Sequence, residues 1–220
     1  MDRSRLEAFS DGVFAVAITL LALNLTVAGP GPVKLQHQLW EHRWSFAAYL
    51  ISFFIIGIIW VNHHVLIKSI ALVDRTLLFL NLVLLLFVVL IPFSTATVAQ
   101  YLPVPAVSAG PQEDLKVAMA MYSAVFLGMS GGFAAIFEWT LHGGRVTNPV
   151  PPEKHWAARI RFAGGSAAYI VALVVALFNA IAAFVIIALI AVYYVFENTP
   201  TSRAAPGEPS AADSPDGGAP

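Results

Sequence analysis

The sequence predicts an all-α, polytopic membrane protein, on the basis of its composition and its repeated apolar segments. Of its 220 residues, 58% are hydrophobic and 11% are charged, and the mean hydropathy is +0.75. Soluble domains carry about 25% charged residues, so the excess of apolar side chains indicates contact with lipid. Segments of about 20 apolar residues, the length at which a helix crosses the hydrocarbon core, recur along the chain.

Charge and cysteine content exclude several classes of protein. The net charge is −1, so no basic surface points to nucleic acid. The chain has no cysteine, which excludes disulfides, thiolate metal sites and cysteine nucleophiles. The adjacent His63 and His64 have no further ligand at coordinating spacing, so we expect neither a metal site nor a bound cofactor.

Six membrane spans are predicted from the apolar segments. They cover approximately residues 6–27, 44–68, 75–101, 115–141, 157–177 and 179–197. The first span ends before Gly29-Pro30-Gly31-Pro32, a strong helix breaker, and a tight hairpin near Phe178-Asn179 separates the last two. Residues 1–197 are therefore expected to form one six-helix unit. Residues 198–220 are rich in Pro, Ala, Ser, Gly and acidic residues and are expected to form a disordered cytoplasmic tail.

The distribution of positive charge predicts the orientation of the chain. Six crossings place both termini on one side of the membrane, and nine of the 12 Lys and Arg residues fall on that side. The three on the other side are Lys34, Arg43 and Lys116. Because Lys and Arg accumulate in cytoplasmic loops, we expect a multi-pass protein of the cell membrane with both termini in the cytoplasm.

The first span carries a narrow stripe on one helical face. At 100° per residue, Gly12, Val16, Thr19 and Leu23 fall on this stripe, which is apolar apart from one hydroxyl. Asp11 lies about 140° from Val16. If the stripe faces a pore, Asp11 therefore points into the protein and does not line the pathway.

Polar side chains from the first three spans are expected at similar depth, in the third of the membrane nearest the cytoplasm. They are Arg5, Asp11, His63, His64 and Asn81. Unpaired charge in a membrane is costly and usually functional, so a polar network that fixes the first helix is one interpretation. The alternatives are that Ser10 or Asp11 is a helix N-cap and that the two histidines are simply interfacial.

The opening of the first span, Arg5-Leu6-Glu7-Ala8-Phe9-Ser10-Asp11, resembles the Arg-x-x-x-Phe-Ser-Asp signature of the transmembrane protein 175 family of potassium channels. Parts of the second and third spans also look like this family: Trp60-Val61-Asn62-His63-His64, Asp74, Leu77-Leu78, Asn81 and Pro92-Phe93. The resemblance is specific over roughly residues 3–95. Beyond them it rests on hydropathy alone.

The resemblance implies an assembly and a set of pore residues. Prokaryotic members of the family have one six-helix unit per chain and assemble as tetramers. The resemblance therefore implies a homotetramer with four first helices around the axis. By position, Val16 corresponds to the narrowest apolar ring, and Thr19 and Leu23 correspond to the next pore layers. The structural polar network is assigned to Arg5, Phe9, Ser10, Asp11, Trp60, His63, His64 and Asn81.

These expectations converge on a potassium-permeable cation channel, not an enzyme, with membrane lipid, potassium ions and further copies of itself as partners. The chain lacks the Thr-Val-Gly-Tyr-Gly segment of carbonyl-ring filters, so selectivity should come from the apolar constriction and from the Thr19 hydroxyls. The alternative is a secondary transporter of a small cation or proton. Transporters often contain internal repeats, and no convincing repeat is visible in this chain.

Overall fold

Seven helices make up the part of the chain that the computed structural model describes, namely residues 2–27, 29, 31–102, 109–142, 145–147 and 152–196. In chain order they are α1 (Arg3–Leu23), α2 (Leu35–Glu41), α3 (Arg43–Lys68), α4 (Arg75–Tyr101), α5 (Ala109–Thr140), α6 (Pro152–Ala176) and α7 (Ala180–Phe196). The predicted all-α fold is confirmed. The predicted tail, residues 198–220, lies outside the described residues.

Six of these helices correspond to the predicted spans, and α2 is a short helix that hydropathy did not predict. Among the described residues, α1, α3, α4 and Gln112–Thr140 of α5 are long and apolar enough to cross a membrane. The apolar parts of α6 and α7 are shorter, at Ala163–Ala176 and Ala180–Tyr194.

The first helix ends four residues before the predicted end of its span. The last residue of α1 is Leu23, and Asn24 follows it as the C-cap. The Asn24 amide Nδ2 donates to the carbonyl of Leu20 at 3.2 Å. Such a side chain competes with the backbone for helix carbonyls, which explains why the helix stops here even though Leu25 and Val27 continue the apolar run.

The hairpin predicted near Phe178-Asn179 is confirmed. α6 ends at Ala176 and α7 begins at Ala180. Asn179 Oδ1 accepts a hydrogen bond from the backbone N–H of Ala182 at 3.0 Å. This bond satisfies a free N–H in the first turn of α7, which is the usual role of asparagine at a helix start.

The central helix of the bundle is α4, which packs against α1, α3 and α5. Away from α4, α5 also contacts α6 and α7. On the other side of α4, α1 packs against both α3 and α4. The core runs along α4 through Leu84, Val88 and Ile91, all fully buried. Because α1 is packed from one side, its other side faces out of the subunit.

Three buried hydroxyls join α3, α4 and α5 next to Pro92. Thr95 Oγ1 donates to the carbonyl of Ile91 at 2.7 Å, so it must accept from Ser52 Oγ, which is also 2.7 Å away. Ser52 Oγ in turn accepts from the Tyr122 hydroxyl at 2.8 Å. The chain of bonds ends on a backbone carbonyl, and every hydroxyl hydrogen in it has an acceptor, as buried polar groups require.

The backbones of α4 and α5 lie close together at Gly132. A Cβ added to Gly132 would lie 3.0 Å from Leu84 Cα and 3.2 Å from Leu84 Cβ. The adjacent Gly131 is exposed, and a Cβ there would meet nothing within 4 Å. A side chain at position 132 would therefore press on the α4 backbone, and glycine fits here as in other membrane bundles in which small residues allow close contact.

We expect Gly132→Ala to lower the thermal unfolding midpoint of the purified protein in detergent. Overpacking costs about 1–3 kcal/mol. Because the added Cβ would meet backbone, which cannot move aside like a flexible side chain, we expect a cost above the roughly 1 kcal/mol that alanine contributes through helix propensity. Gly131→Ala is the matched control and should leave the midpoint unchanged or raise it. Circular dichroism on heating measures both, and equal midpoints for the two variants would contradict the close approach of α4 and α5.

Candidate functional site

The two faces of α1 differ sharply in their surroundings. Residues buried against α3 and α4 recur at spacings of three and four, which is the period of one helical face. They are Leu6, Ser10, Phe14, Ala17 and Leu21. Four of these are apolar, and Ser10 is the one polar group, with no exposed surface. A polar group in this position needs a partner from another helix or from its own backbone.

The predicted stripe lies on the opposite, exposed face of α1. Gly12 and Thr19 are exposed, and Val16 and Leu23 keep 54% and 72% of their surface accessible within the single subunit. Thr19 Oγ1 donates its hydrogen to the carbonyl of Val16 at 2.8 Å. The hydroxyl hydrogen is therefore bonded within the helix, while the oxygen can still accept a hydrogen bond or bind a cation.

A buried chain of hydrogen bonds joins α1, α3 and α4 through Asn81. The Asn81 amide Nδ2 donates to Ser10 Oγ at 3.0 Å, and Ser10 Oγ donates to the carbonyl of Leu6 at 2.9 Å. The other side of the amide, Oδ1, lies 2.7 Å from His63 Nε2. Because Oδ1 can only accept, His63 must carry a hydrogen on Nε2. All three side chains are fully buried, so this chain fixes how α1 is rotated against its neighbours.

A second set of polar contacts lies beside the first. Trp60 Nε1 donates to Asp11 Oδ1 at 2.8 Å, and the indole stacks on the His64 ring at a centroid distance of 5.9 Å. His64 Nδ1 lies 2.8 Å from Glu7 Oε1, which is an ion pair when the imidazole is protonated. Glu7 was not singled out from the sequence, although its position four residues before Asp11 puts both carboxylates on one side of the helix.

The structure brings together six of the eight residues assigned to the polar network. Ser10, Asp11, Trp60, His63, His64 and Asn81 take part in the contacts described above. Arg5 and Phe9 take part in none of these contacts within the described part of the subunit, and both are exposed. Helical spacing places both within about 20° of Val16, on the face with the stripe.

The start of α1 lies well before Ser10 and Asp11. α1 begins at Arg3, with Asp2 at the N-cap position, so neither Ser10 nor Asp11 is a helix N-cap. Within the described residues, no group of three or more His, Asp or Glu side chains is arranged to hold a metal ion. The site is therefore a helix with one face fastened by directional polar contacts and the opposite face left free.

All residues of this site lie within the part of the chain that matches a known family. The sequence pattern of the family described as endosomal/lysosomal potassium channel TMEM175 matches residues 5–92. A potassium channel from Streptomyces collinus is 40% identical over 213 residues, which are 95% of this chain and 99% of that protein. The endosomal/lysosomal proton channel TMEM175 of Mus musculus is 29% identical, over 64% of this chain and 28% of its own length.

The fold is also similar to a solved structure. The crystal structure of a lysosomal potassium-selective channel TMEM175 homolog from Chamaesiphon minutus aligns with a TM-score of 0.74 and 30% sequence identity. The alignment covers 88% of this chain and 96% of the Chamaesiphon chain. The chain thus spans nearly the full length of its bacterial relatives from Streptomyces and, in structure, from Chamaesiphon, but under a third of the mouse protein.

We expect Asn81→Leu to destabilise the protein because it leaves the His63 N–H buried without an acceptor. Removing one partner from a buried hydrogen bond costs about 1–3 kcal/mol, and here one side chain serves two bonds. Asn62→Leu is the matched control, since Asn62 is half-buried and its side chain makes no hydrogen bond to the described residues. The readout is the thermal midpoint in detergent, and an equal loss in both variants would contradict a special role for the Asn81 amide.

Proposed function

The chain belongs to the TMEM175 family, and from this premise we propose that it is a potassium-permeable cation channel whose pore is lined by α1. The observation that carries the proposal is the exposed stripe of Gly12, Val16, Thr19 and Leu23, opposite the face that polar contacts hold against α3 and α4. A membrane helix fastened on one side and free on the other is suited to line a shared axis. The name of the Streptomyces relative, a potassium channel of matching length, supports the choice of permeant ion.

The pore itself requires more than one copy of the chain. A stripe on a single helix is only a wall, and four copies of α1 around an axis would enclose a pathway. The one-sided packing of α1 supports this homotetramer. Arg5 and Phe9 lie on the same exposed face, and we assign them to contacts between subunits at the end of the pore that holds the amino terminus.

Three layers would control ion passage in this tetramer. Val16 forms an apolar ring, and such constrictions gate by dewetting. Thr19 lies about 4.5 Å further along the axis and Leu23 about 6 Å beyond it. The Thr19 oxygen keeps its acceptor capacity because its hydrogen is bonded to the Val16 carbonyl, so a dehydrated cation meets hydroxyl oxygens directly after the apolar ring. We therefore propose a modest potassium preference that arises from these two layers.

The end of the bundle that holds the amino terminus is proposed to face the cytoplasm. Contacts in the structure gather several of the cations there: Arg3 bonds to the end of α3 near Lys68, and the turn after Lys68 pairs with Arg145. Arg43 lies at the start of α3, which is the opposite end of that helix. This distribution agrees with the rule that Lys and Arg accumulate on the cytoplasmic side.

Potassium flux into liposomes tests the proposal directly. Purified protein reconstituted with a potassium gradient should conduct down that gradient without a second ion moving in fixed proportion. Flux that depends on a coupled proton or sodium gradient would identify a secondary transporter and would overturn the channel assignment.

The orientation can be tested with single cysteines because the chain has none of its own. Leu35 on α2 and Leu72 in the turn between α3 and α4 are both exposed and lie at opposite ends of the bundle. In intact cells, a membrane-impermeant thiol reagent should label Leu35→Cys but not Leu72→Cys, which should react only after the cells are broken. Labelling of both from outside would contradict the proposed orientation.

The constriction can be tested with a pair of adjacent substitutions. Val16→Asn should raise conductance and weaken the preference for potassium over sodium, because an amide eases hydration of the ring. Ala17→Asn introduces the same group about 100° round the helix, at a position with no exposed surface, and should instead reduce the yield of folded protein. Planar bilayer recordings at matched protein amounts compare them. Unchanged current and selectivity in Val16→Asn would mean that the constriction lies elsewhere.

A further inference from the structure

One guanidinium joins the first turn of α1 to the turn between α3 and α4. Arg3 Nη1 donates to the carbonyl of Lys68 at 3.0 Å and to the carbonyl of Ile70 at 3.2 Å. Lys68 is the last residue of α3, and the last carbonyls of a helix have no partner within it. A cation is also favoured at this position because helix ends of this kind carry partial negative charge. Arg3 therefore satisfies two carbonyls at once.

The turn that receives Arg3 is itself paired with a distant segment. The N–H of Ala71 donates to the carbonyl of Arg145 at 2.8 Å, and the N–H of Thr147 donates to the carbonyl of Ser69 at 2.9 Å. Between them, Ile70 is fully buried opposite Val146. We call residues 69–71 and 145–147 the basal strip. Its two backbone bonds hold the α3–α4 turn to the chain that follows α5.

The basal strip is anchored in turn by the Arg145 side chain. The guanidinium lies 4.5 Å from the centroid of the Trp139 ring, and Nη1 donates to the Trp139 carbonyl at 3.3 Å. Nη2 lies 4.0 Å from Asp74 Oδ2, and Asp74 Oδ1 accepts from the N–H of Leu77 in the first turn of α4. The strip therefore connects the end of α3, the start of α4 and the end of α5, and Arg3 connects α1 to all of them.

Because Arg3 lies at one end of α1, its contacts can affect the tilt of the whole helix. In the described structure, polar side-chain contacts from α1 to other helices lie between Arg3 and Asp11, and none follows them towards Leu23. The buried bond of Ser10 to Asn81 lies about 10 Å along the axis from Arg3, and Val16 lies about 9 Å beyond Ser10. A shift of the first turn about the Ser10 contact would therefore move the Val16 ring by a similar distance in the opposite direction.

We propose that Arg3 is a positioning residue for ion conduction: it sets the tilt of α1 by tying its first turn to the basal strip, and so stabilises the open width of the Val16 ring. This inference rests on the proposed pore function of α1. Arg3 lies 13 residues before Val16 and would not touch the permeant ion. Its loss should alter how long the channel stays open and leave unitary conductance and ion preference unchanged.

Single-channel recording of Arg3→Gln tests this proposal, with Lys68→Gln as the matched control. Both variants lose one positive charge at the same end of the bundle. The Lys68 side chain is exposed and makes no hydrogen bond to the described residues, and its carbonyl remains in the control. We expect Arg3→Gln to shorten the mean open time by about fivefold or more, since a charge-assisted pair of bonds is lost, and Lys68→Gln to leave it unchanged. Arg3→Lys should recover part of the open time, because an ammonium group can still donate to both carbonyls.

A distance measurement separates this inference from the proposed function. Spin labels at Ser4→Cys in the first turn of α1 and Leu72→Cys in the adjoining turn, both exposed positions, report the separation of these two segments by pulsed electron paramagnetic resonance. Arg3→Gln should broaden the distance distribution, and Lys68→Gln should not. A distribution that stays narrow, or an open time that is unchanged or equally shortened in both variants, overturns the positioning role. Broadening in a protein that conducts no ions at all would support the anchor and refute the channel.

Discussion

The structure depends on a single constraint, which is that polar groups on the buried side of α1 must find partners before that helix can pack in a membrane. An unpaired polar group in hydrocarbon costs several kcal/mol. Ser10 Oγ donates within its own helix to the Leu6 carbonyl, so the group that depends on the rotation of α1 is the fully buried Asn81 amide. Its Nδ2 donates to Ser10 Oγ and its Oδ1 lies against His63 Nε2, and Ser10 reaches that amide at one rotation of α1 only. That rotation leaves the stripe through Val16 exposed, so the polar contacts on one face determine which residues form the other.

Hydropathy was sufficient to predict the long helices but not the short one. The apolar runs of α3 and α4 are bounded by charged or polar residues at Arg43, Lys68 and Arg75, and the observed helices begin and end there. By contrast α2 has seven residues, too few for a periodic pattern to stand out, and it is stabilised by tertiary contacts. The Gln38 amide Nε2 donates to the carbonyls of Gly29 and Val33 in the preceding loop. No pattern in the sequence of α2 predicts this interaction.

In the candidate site, the depth of each polar residue in the membrane could be predicted from the sequence, but the residues that it contacts could not. A rise of about 1.5 Å per residue was enough to predict that Asp11, His63 and Asn81 lie at one level, because depth follows from counting along each span. Which groups touch depends on the rotation of each helix, which depends on packing. The sequence therefore missed Glu7 as the partner of His64. The acceptors of Arg3 are backbone carbonyls, which every residue has, so sequence could not identify them.

The two halves of α1 are held by different kinds of force, and this difference bears on how such a helix can work. From Arg3 to Asp11, hydrogen bonds with narrow geometric limits and the close contact between Glu7 and His64 fix its position. In the second half, Gly12 to Leu23, the buried residues are Phe14, Ala17 and Leu21. They pack through apolar contacts and through the contact of the Phe14 ring with the His63 ring, and such packing is less directional than hydrogen bonding. In the proposed tetramer, the width of the Val16 ring would then depend on how firmly the first half is held. An apolar constriction on a helix whose directional contacts all lie towards its first residue would open and close through small changes of tilt, with no hydrogen bond to another helix to break at the constriction itself.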